Sequence, residues 1–359
     1  MDKLTPDEHQ FLEKLLITPS PTGYEQAGQH VWLQYMKELA DHTVTDAYGS
    51  AAAGLQVSEE AITVMLEAHC DEIGMVLQHI DEQGFLWIQR IGGSDPTIAR
   101  ARKVFIHTAN GLVTGIIGHT AIHLQDRENT KAAGWKDLFV DIGASDREEA
   151  GAMVTVGDPI TYCDDFEYLS DDLIAGRALD NRIGGFIIAR AFAQLAARRQ
   201  ELKVNVLALN AVQEEIGGFG ARMMSYRLMP DVALVTDVTH ATDTPGINQK
   251  EHGRVLLGGG PAVTHGSSSH PLVVRQLVDV AHKNDITIQH EASSVRTGTD
   301  TDSIFFTRQG IPSALTSLPL RYMHSPVETA SLSDIFRLSD LMVAFVLSLN
   351  SDQRFNLLN

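Results

Sequence analysis

Apolar positions fall at helical spacing over residues 6–17 (PDEHQFLEKLLI), where Phe11, Leu12, Leu15 and Leu16 form one stripe behind Pro6. That spacing predicts a helix with Pro6 in its first turn. Pro19, Pro21 and Gly23 then break the chain in "TPSPTGYE", and a second helix is predicted over 25–39. Residues 62–68 (ITVMLEA) read as a strand that ends in "HCDEIG". From about 74 to 162 the pattern changes to short strands: "MVLQHI", "FLWIQRI", "KVFIHT", "LVTGIIG" and "DPITYC". Turns at "DEQG", "GGSD" and "ANG" separate them, with one short helix predicted over 145–152. This is an all-β texture and predicts a small barrel.

After about residue 165 strands and helices alternate. Helices are predicted over 182–199, 217–226, 271–284 and 331–349, and strands over 203–213, 232–238 and 312–317. Such alternation predicts a doubly wound α/β sheet with helices on both faces. The expected organisation is one α/β domain, residues 1–73 plus 165–359, with a β-domain inserted at 74–164.

The 359 residues leave ample room for two cores. A net charge of -18 argues against nucleic acid or an anionic membrane as partner. The two cysteines, Cys70 and Cys163, match no zinc-ribbon or disulfide spacing. The start, "MDKLTPDEHQ", has no apolar stretch of a signal peptide, and no run is long enough to span a bilayer. A cytoplasmic enzyme is the expectation.

Five segments place a histidine or carboxylate at or just beyond a predicted strand end, where open α/β sheets bind ligands. They carry His69 and Asp71 (EAHCDEIG), Asp180 (GRALDNRIG), Glu214 and Glu215 (VQEEIGGFG), Asp237 (LVTDVTH) and His324 (RYMHSPVE). Taken singly, Asp180 reads as a helix cap, Asp237 as a turn residue and the glutamates as a solvated helix start. Each histidine, among 15 in the chain, is an ordinary hydrogen-bonding residue. Together they concentrate more negative charge than is stable without cations. Mixed nitrogen and oxygen donors suit Zn, Co or Mn. Two such ions need a bridging carboxylate and further ligands, a count that His69, Asp180, Glu215, Asp237 and His324 meet. Glu214 is left over for general-base work, and Asp71 can accept a hydrogen bond from the His69 ring.

These segments resemble the tetrahedral metallo-aminopeptidases, of peptidase clan MH, which include glutamyl and deblocking aminopeptidases. The resemblance covers nearly the whole chain and includes "TPSPTGYE", "LFVDIGASDREEA", "HATDTPG", "TGTDTDS" and "RYMHSPVE". It implies a phosphorylase/hydrolase-like peptidase domain with a mixed sheet, interrupted by a PDZ-like β-domain used in dimerisation and assembly. It implies His69, Asp180 and Asp237 around one divalent ion and Asp180, Glu215 and His324 around the other, with Asp180 bridging. Glu214 matches the general base and Asp71 the residue that orients His69. A metal-bound water then attacks the N-terminal peptide bond of a substrate whose amino group is free. The resemblance also implies dimers and a hollow dodecamer. Two positions depart from the common pattern: Cys70 sits inside the first motif, and Ser50 stands in "DAYGS" where asparagine is usual.

Two other readings compete. One is a metal-independent glycosidase of endoglucanase type, with Glu214 and Glu215 as the paired acids, although adjacent residues rarely hold the separation required. The other is a non-catalytic assembly protein on the same fold, which an intact ligand set argues against. The pocket for the substrate's first side chain is expected from loops such as 252–268 and 290–300. The polar loop 119–136 reads equally as a surface loop or as a segment that shapes a neighbouring subunit's active site.

Overall fold

In the computed structural model, which describes residues 4–124, 134–163 and 166–358, four apolar runs form the middle of the main sheet. Asn205–Ala211, Thr63–His69, Val232–His240 and Ser313–Leu320 lie side by side in that order, all parallel. They are buried along almost their whole length. Strands covered on both faces need no polar alternation, which is why they read as near-continuous apolar stretches. The flanks make the sheet mixed. Ala51–Leu55 pairs antiparallel to Asn205–Ala211, with His42–Thr45 outside it. Ala262–His265 pairs antiparallel to Ser313–Leu320, with Gln289–Ala292 at the edge. The sequence pattern predicts none of these flanking strands. Ala51–Leu55 (AAAGL) lacks β-branched residues, and Gln289–Ala292 (QHEA) is polar.

Helices cover both faces, as the alternation predicts. Pro6–Ile17, Gln26–Lys37, Leu179–Ala197, Pro271–Lys283 and Leu332–Ser348 contribute to one apolar cluster with Trp32, Phe186, Phe192 and Phe345 in it. The opposite face packs Phe219–Leu228 and the short Thr301–Ile304 against Met65, Leu209, Val235 and Leu315. The first helix starts as expected. Thr5 and Glu8 form a reciprocal capping box ahead of Pro6, which satisfies two otherwise orphaned N–H groups. Among the described residues, no helix is long and apolar enough to cross a membrane.

Strands between residues 74 and 162 close a barrel in the order Gly74–Ile80, Leu86–Ile91, Phe139–Asp141, Gly111–Ile117, Lys103–Thr108, Pro159–Tyr162. Met75, Leu77, Val104, Ile106, Val140 and Ile160 fill it as a separate core. The short helix expected over 145–152 is Arg147–Met153, capped by the Asp146 side chain. Half of the loop 119–136 and the expected boundary at 164/165 fall outside the described residues.

A third, small sheet joins Glu167–Tyr168, Leu173–Gly176 and Glu328–Ser331. It corrects one expectation. Asp180 follows Leu173–Gly176 of this small sheet, not a strand of the main one. The Asp180 and Asn181 backbones are non-helical, so the helix proper begins after them.

The connection after Asn205–Ala211 is tight. Gln213 has φ 60°, and Gly217 and Gly218 have φ +139° and +68°. Gly220 lies so close to the preceding turn that a Cβ there would stand 2.4 Å from the Val212 carbonyl oxygen and 2.6 Å from its nitrogen. Backbone cannot yield as a side chain can, so only glycine fits. Gly220→Ala is expected to lower the melting temperature by several degrees and to reduce activity with it. A variant that melts with the parent would show that the turn has slack.

Candidate metal centre and active site

His69 ends its main-sheet strand, and its ring is buried. Its Nε2 lies 3.3 Å from Asp180 Oδ1, 3.7 Å from Asp237 Oδ1 and 3.8 Å from Glu214 Oε2. His324, after Ser313–Leu320, turns its Nε2 to the other side of the same aspartate, 3.3 Å from Asp180 Oδ2 and 3.6 Å from Glu215 Oε2. The two oxygens of Asp180 therefore face two different histidines. Two triads follow, His69–Asp180–Asp237 and Asp180–Glu215–His324, each with one ligand atom per residue within 4.8 Å of the others. Asp237 sits within Val232–His240, not at its end, because pairing with Ser313–Leu320 continues to His240 and Leu320.

The electrostatics test whether these residues suit cations. Burial pushes the carboxyls of Glu214 and Glu215 well above the ordinary carboxylate range, and that of Asp237 upward. Burial also works against a charged His324, yet Asp180 and Glu215 raise it to about 9. His69 is likewise held well above its ordinary value, its burial outweighed by Asp180, Asp237 and Asp71. Asp180 is driven down, burial opposing and the two histidines prevailing. Protons stand here for the positive charge that the cluster demands. Buried Glu215 Oε1 has no hydrogen-bond partner. A set of imidazole nitrogens and carboxylate oxygens with an orphaned acceptor fits borderline divalent metals.

A layer of buried carboxylates holds the backbone of this cluster. Asp71 accepts the Glu214 N–H at Oδ1 (3.0 Å) and the Glu215 N–H at Oδ2 (3.1 Å), and Oδ2 also accepts the Thr22 hydroxyl (2.9 Å). His69 Nδ1 lies 3.2 Å from the Asp71 carbonyl oxygen and 3.4 Å from Oδ1. Glu25 accepts the neighbouring Gln213 N–H at 3.2 Å, and burial pushes its carboxyl up to about 7. Successive amides 213, 214 and 215 thus all point at carboxylates. Glu328 repeats the device on the other side, taking the Asp180 N–H (3.0 Å) and the His324 N–H (2.8 Å). Glu72 binds the Ser20 N–H (2.8 Å) and lies between the guanidinium groups of Arg177 and Arg182. Sequence reasoning passed over Glu25, Glu72 and Glu328. All three lie inside segments singled out for other reasons, "TPSPTGYE", "HCDEIG" and "RYMHSPVE". An acid left without a role in such a segment was the available signal.

The cluster lies at the floor of a cleft of about 790 Å³. Residues 295–299 line it, as expected for loop 290–300, but no residue of 252–268 does. Val238, Phe305, Phe306 and Met323 supply apolar wall, and Arg222 and Arg296 supply positive charge. The Arg222 guanidinium sits 5.2 Å from the centre of the Phe306 ring. The carboxylate of Asp302, also in the wall, is engaged by the Thr297 and Gly298 N–H groups and the Ser268 hydroxyl.

The chain is 34% identical to the lysyl aminopeptidase of Pyrococcus furiosus over 91% of its length and 93% of that protein's. Its structure superposes with a TM-score of 0.92 on a TET aminopeptidase from a marine-sediment archaeon, Thaumarchaeota archaeon SCGC AB-539-E09. The two are 29% identical, with 96% and 97% of the chains covered. It also matches the TET1 peptidase of Pyrococcus horikoshii, which can assemble into a tetrahedron or a large octahedral shell. There the TM-score is 0.83 at 29% identity, over 95% of this chain and 100% of that one. Residues 49–341 match the family described as M42 glutamyl aminopeptidase; the chain belongs to that family and is an aminopeptidase.

Proposed function

We propose that the chain releases N-terminal residues from peptides with the help of two divalent ions, Zn, Co or Mn. His69, Asp180 and Asp237 would hold one, and Asp180, Glu215 and His324 the other. The observation that carries this reading is the placement of Asp180, with one oxygen 3.3 Å from each histidine Nε2. When bound, such ions activate water and polarise a carbonyl.

The chain's own residues do the rest. Glu214 belongs to neither triad, and its Oε2 reaches the cleft floor beside His69. It takes the proton of the attacking water and delivers it to the departing amine nitrogen. Asp71 keeps Glu214 and Glu215 apart in function by fixing both backbones, so that one side chain ligates and the other moves a proton. The surplus of carboxylates also gives the substrate's free α-ammonium group a binding place, which accounts for exo-action. We read 1–73 plus 165–359 as the peptidase domain and 74–164 as its insertion, a division supported by the two separate apolar cores. Self-association to a dodecamer, by likeness to the TET peptidases, and a cytoplasmic location complete the reading.

Three outcomes are expected. Glu214→Gln should keep its metal content while kcat falls by about 10²–10⁴-fold; near-parental turnover would remove Glu214 from the mechanism. Asp71→Asn and Glu328→Gln each replace a carboxylate oxygen with an N–H facing a backbone N–H. Both should weaken metal binding by about 10–100-fold, measured by titration of the apo-protein. Removal of metal with a chelator should abolish aminopeptidase activity, and added Zn, Co or Mn should restore it. Aminopeptidase activity that survives the chelator would remove the ions from the mechanism.

A further inference from the structure

The barrel does more than sit beside the cleft. Its strand Leu86–Ile91 runs into Gly92, Gly93 and Ser94, and this turn lies against Glu215 and His324, the two residues that form a triad with Asp180. A Cβ on Gly92 would stand 3.0 Å from Glu215 Oε2 and 2.9 Å from Ile73. A Cβ on Gly93 would stand 2.5 Å from His324 Nδ1 and 2.6 Å from its Cε1. The main chain therefore approaches the two side chains as closely as the absence of a side chain permits. The Gly93 carbonyl oxygen lies 3.3 Å from His324 Nδ1. A carbonyl accepts only, so Nδ1 carries a proton and Nε2 is left to face Asp180 and Glu215.

His324 needs that support. Its φ is 60° and that of Tyr322 is 61°, left-handed values that non-glycine residues adopt only where the surroundings impose them. Glu328 holds the His324 N–H, and the ring, a third exposed, is held at Nδ1 by the Gly93 carbonyl alone and at Nε2 by Asp180. The turn is itself braced within the barrel. The Ser94 hydroxyl donates to the Gly74 and Ile91 carbonyls, both at 3.3 Å, and the Trp135 indole N–H donates to the Ser94 carbonyl at 3.2 Å.

We propose that the Gly92–Gly93 turn is a positioning element of the metal centre, through which the barrel orients His324 and confines Glu215 for the second ion. This inference rests on the reading of Glu215 and His324 as ligands, and the test separates the two. Apo forms of the parent, His324→Ala, Gly93→Ala, Ser94→Ala and Gly151→Ala are titrated with cobalt(II), and bound ions are counted. Gly151 lies in the barrel helix with open space around its Cβ position and serves as the control. The parent and Gly151→Ala should bind two ions, and His324→Ala should lose one.

Gly93→Ala should bind the first ion as the parent does and the second about 10–100-fold more weakly. Ser94→Ala, which loosens the turn without adding an atom, should move the second ion in the same direction by less. It decides the matter if melting of the apo-protein shows Gly93→Ala to be unfolded. Parental binding of both ions by His324→Ala would overturn the ligand assignment itself. Loss of an ion in His324→Ala, with second-site affinity within twofold of the parent in the folded turn variants, would overturn the role of the turn alone.

Discussion

Buried negative charge is the constraint on which the rest of this molecule depends. Asp71, Asp180, Glu214, Glu215 and Asp237 converge with two imidazoles at the carboxyl ends of the main sheet's parallel strands, the carboxylates all largely out of water. Carboxylates at such density repel one another, and burial removes the solvent that would screen them. The fold answers with whatever positive potential it has. The histidines supply charge when protonated, backbone N–H groups supply dipoles, and Arg177 and Arg182 flank Glu72 just behind. What remains uncompensated lies on Glu214, Glu215 and Asp237 around Asp180, a donor set that fits borderline divalent ions.

The compensation has a pattern. Asp71 and Glu328 lie on opposite sides of the cluster and do the same work, each binding two main-chain N–H groups of its residues. One carboxylate thereby joins the first motif to the glutamate pair, and the other joins Asp180 to His324. These four bonds run from 2.8 to 3.1 Å and fix the main chain on both sides of the cluster. They hold the side chains in place from behind, so that precision at the site derives from main chain tied to buried acids. The small three-stranded sheet makes sense in this light, because Glu328–Ser331 pairs with the strand just ahead of Asp180.

How much of this was legible depends on the range of the interaction. Continuous apolar runs announced the parallel strands, and helical stripes announced the helices that cover them. The short flanking strands stayed hidden because Ala51–Leu55 and Gln289–Ala292 owe their conformation to neighbours already in the sheet. His69, Asp180, Glu214, Glu215, Asp237 and His324 stood out because their types and placement had a shared chemical use. Glu25 and Glu328 did not, since besides the nearby Gly23 and His324 amides each binds an amide 188 or 148 residues away in the chain, and that distant contact ties it to the site. No local spacing encodes such a contact. The "GGSD" stretch read only as a turn, because what matters about Gly92 and Gly93 is which side chains lie above them.

Asp180 has one further consequence. Its two neighbours, His69 and His324, come from early and late in the chain, with the barrel threaded between the first of them and Asp180 itself. During synthesis the early segments emerge long before the late ones. A growing chain that has made Asp180 but not His324 holds only part of the donor set. The triad Asp180–Glu215–His324 is therefore completed only when the segment carrying His324 has been made, well after the barrel.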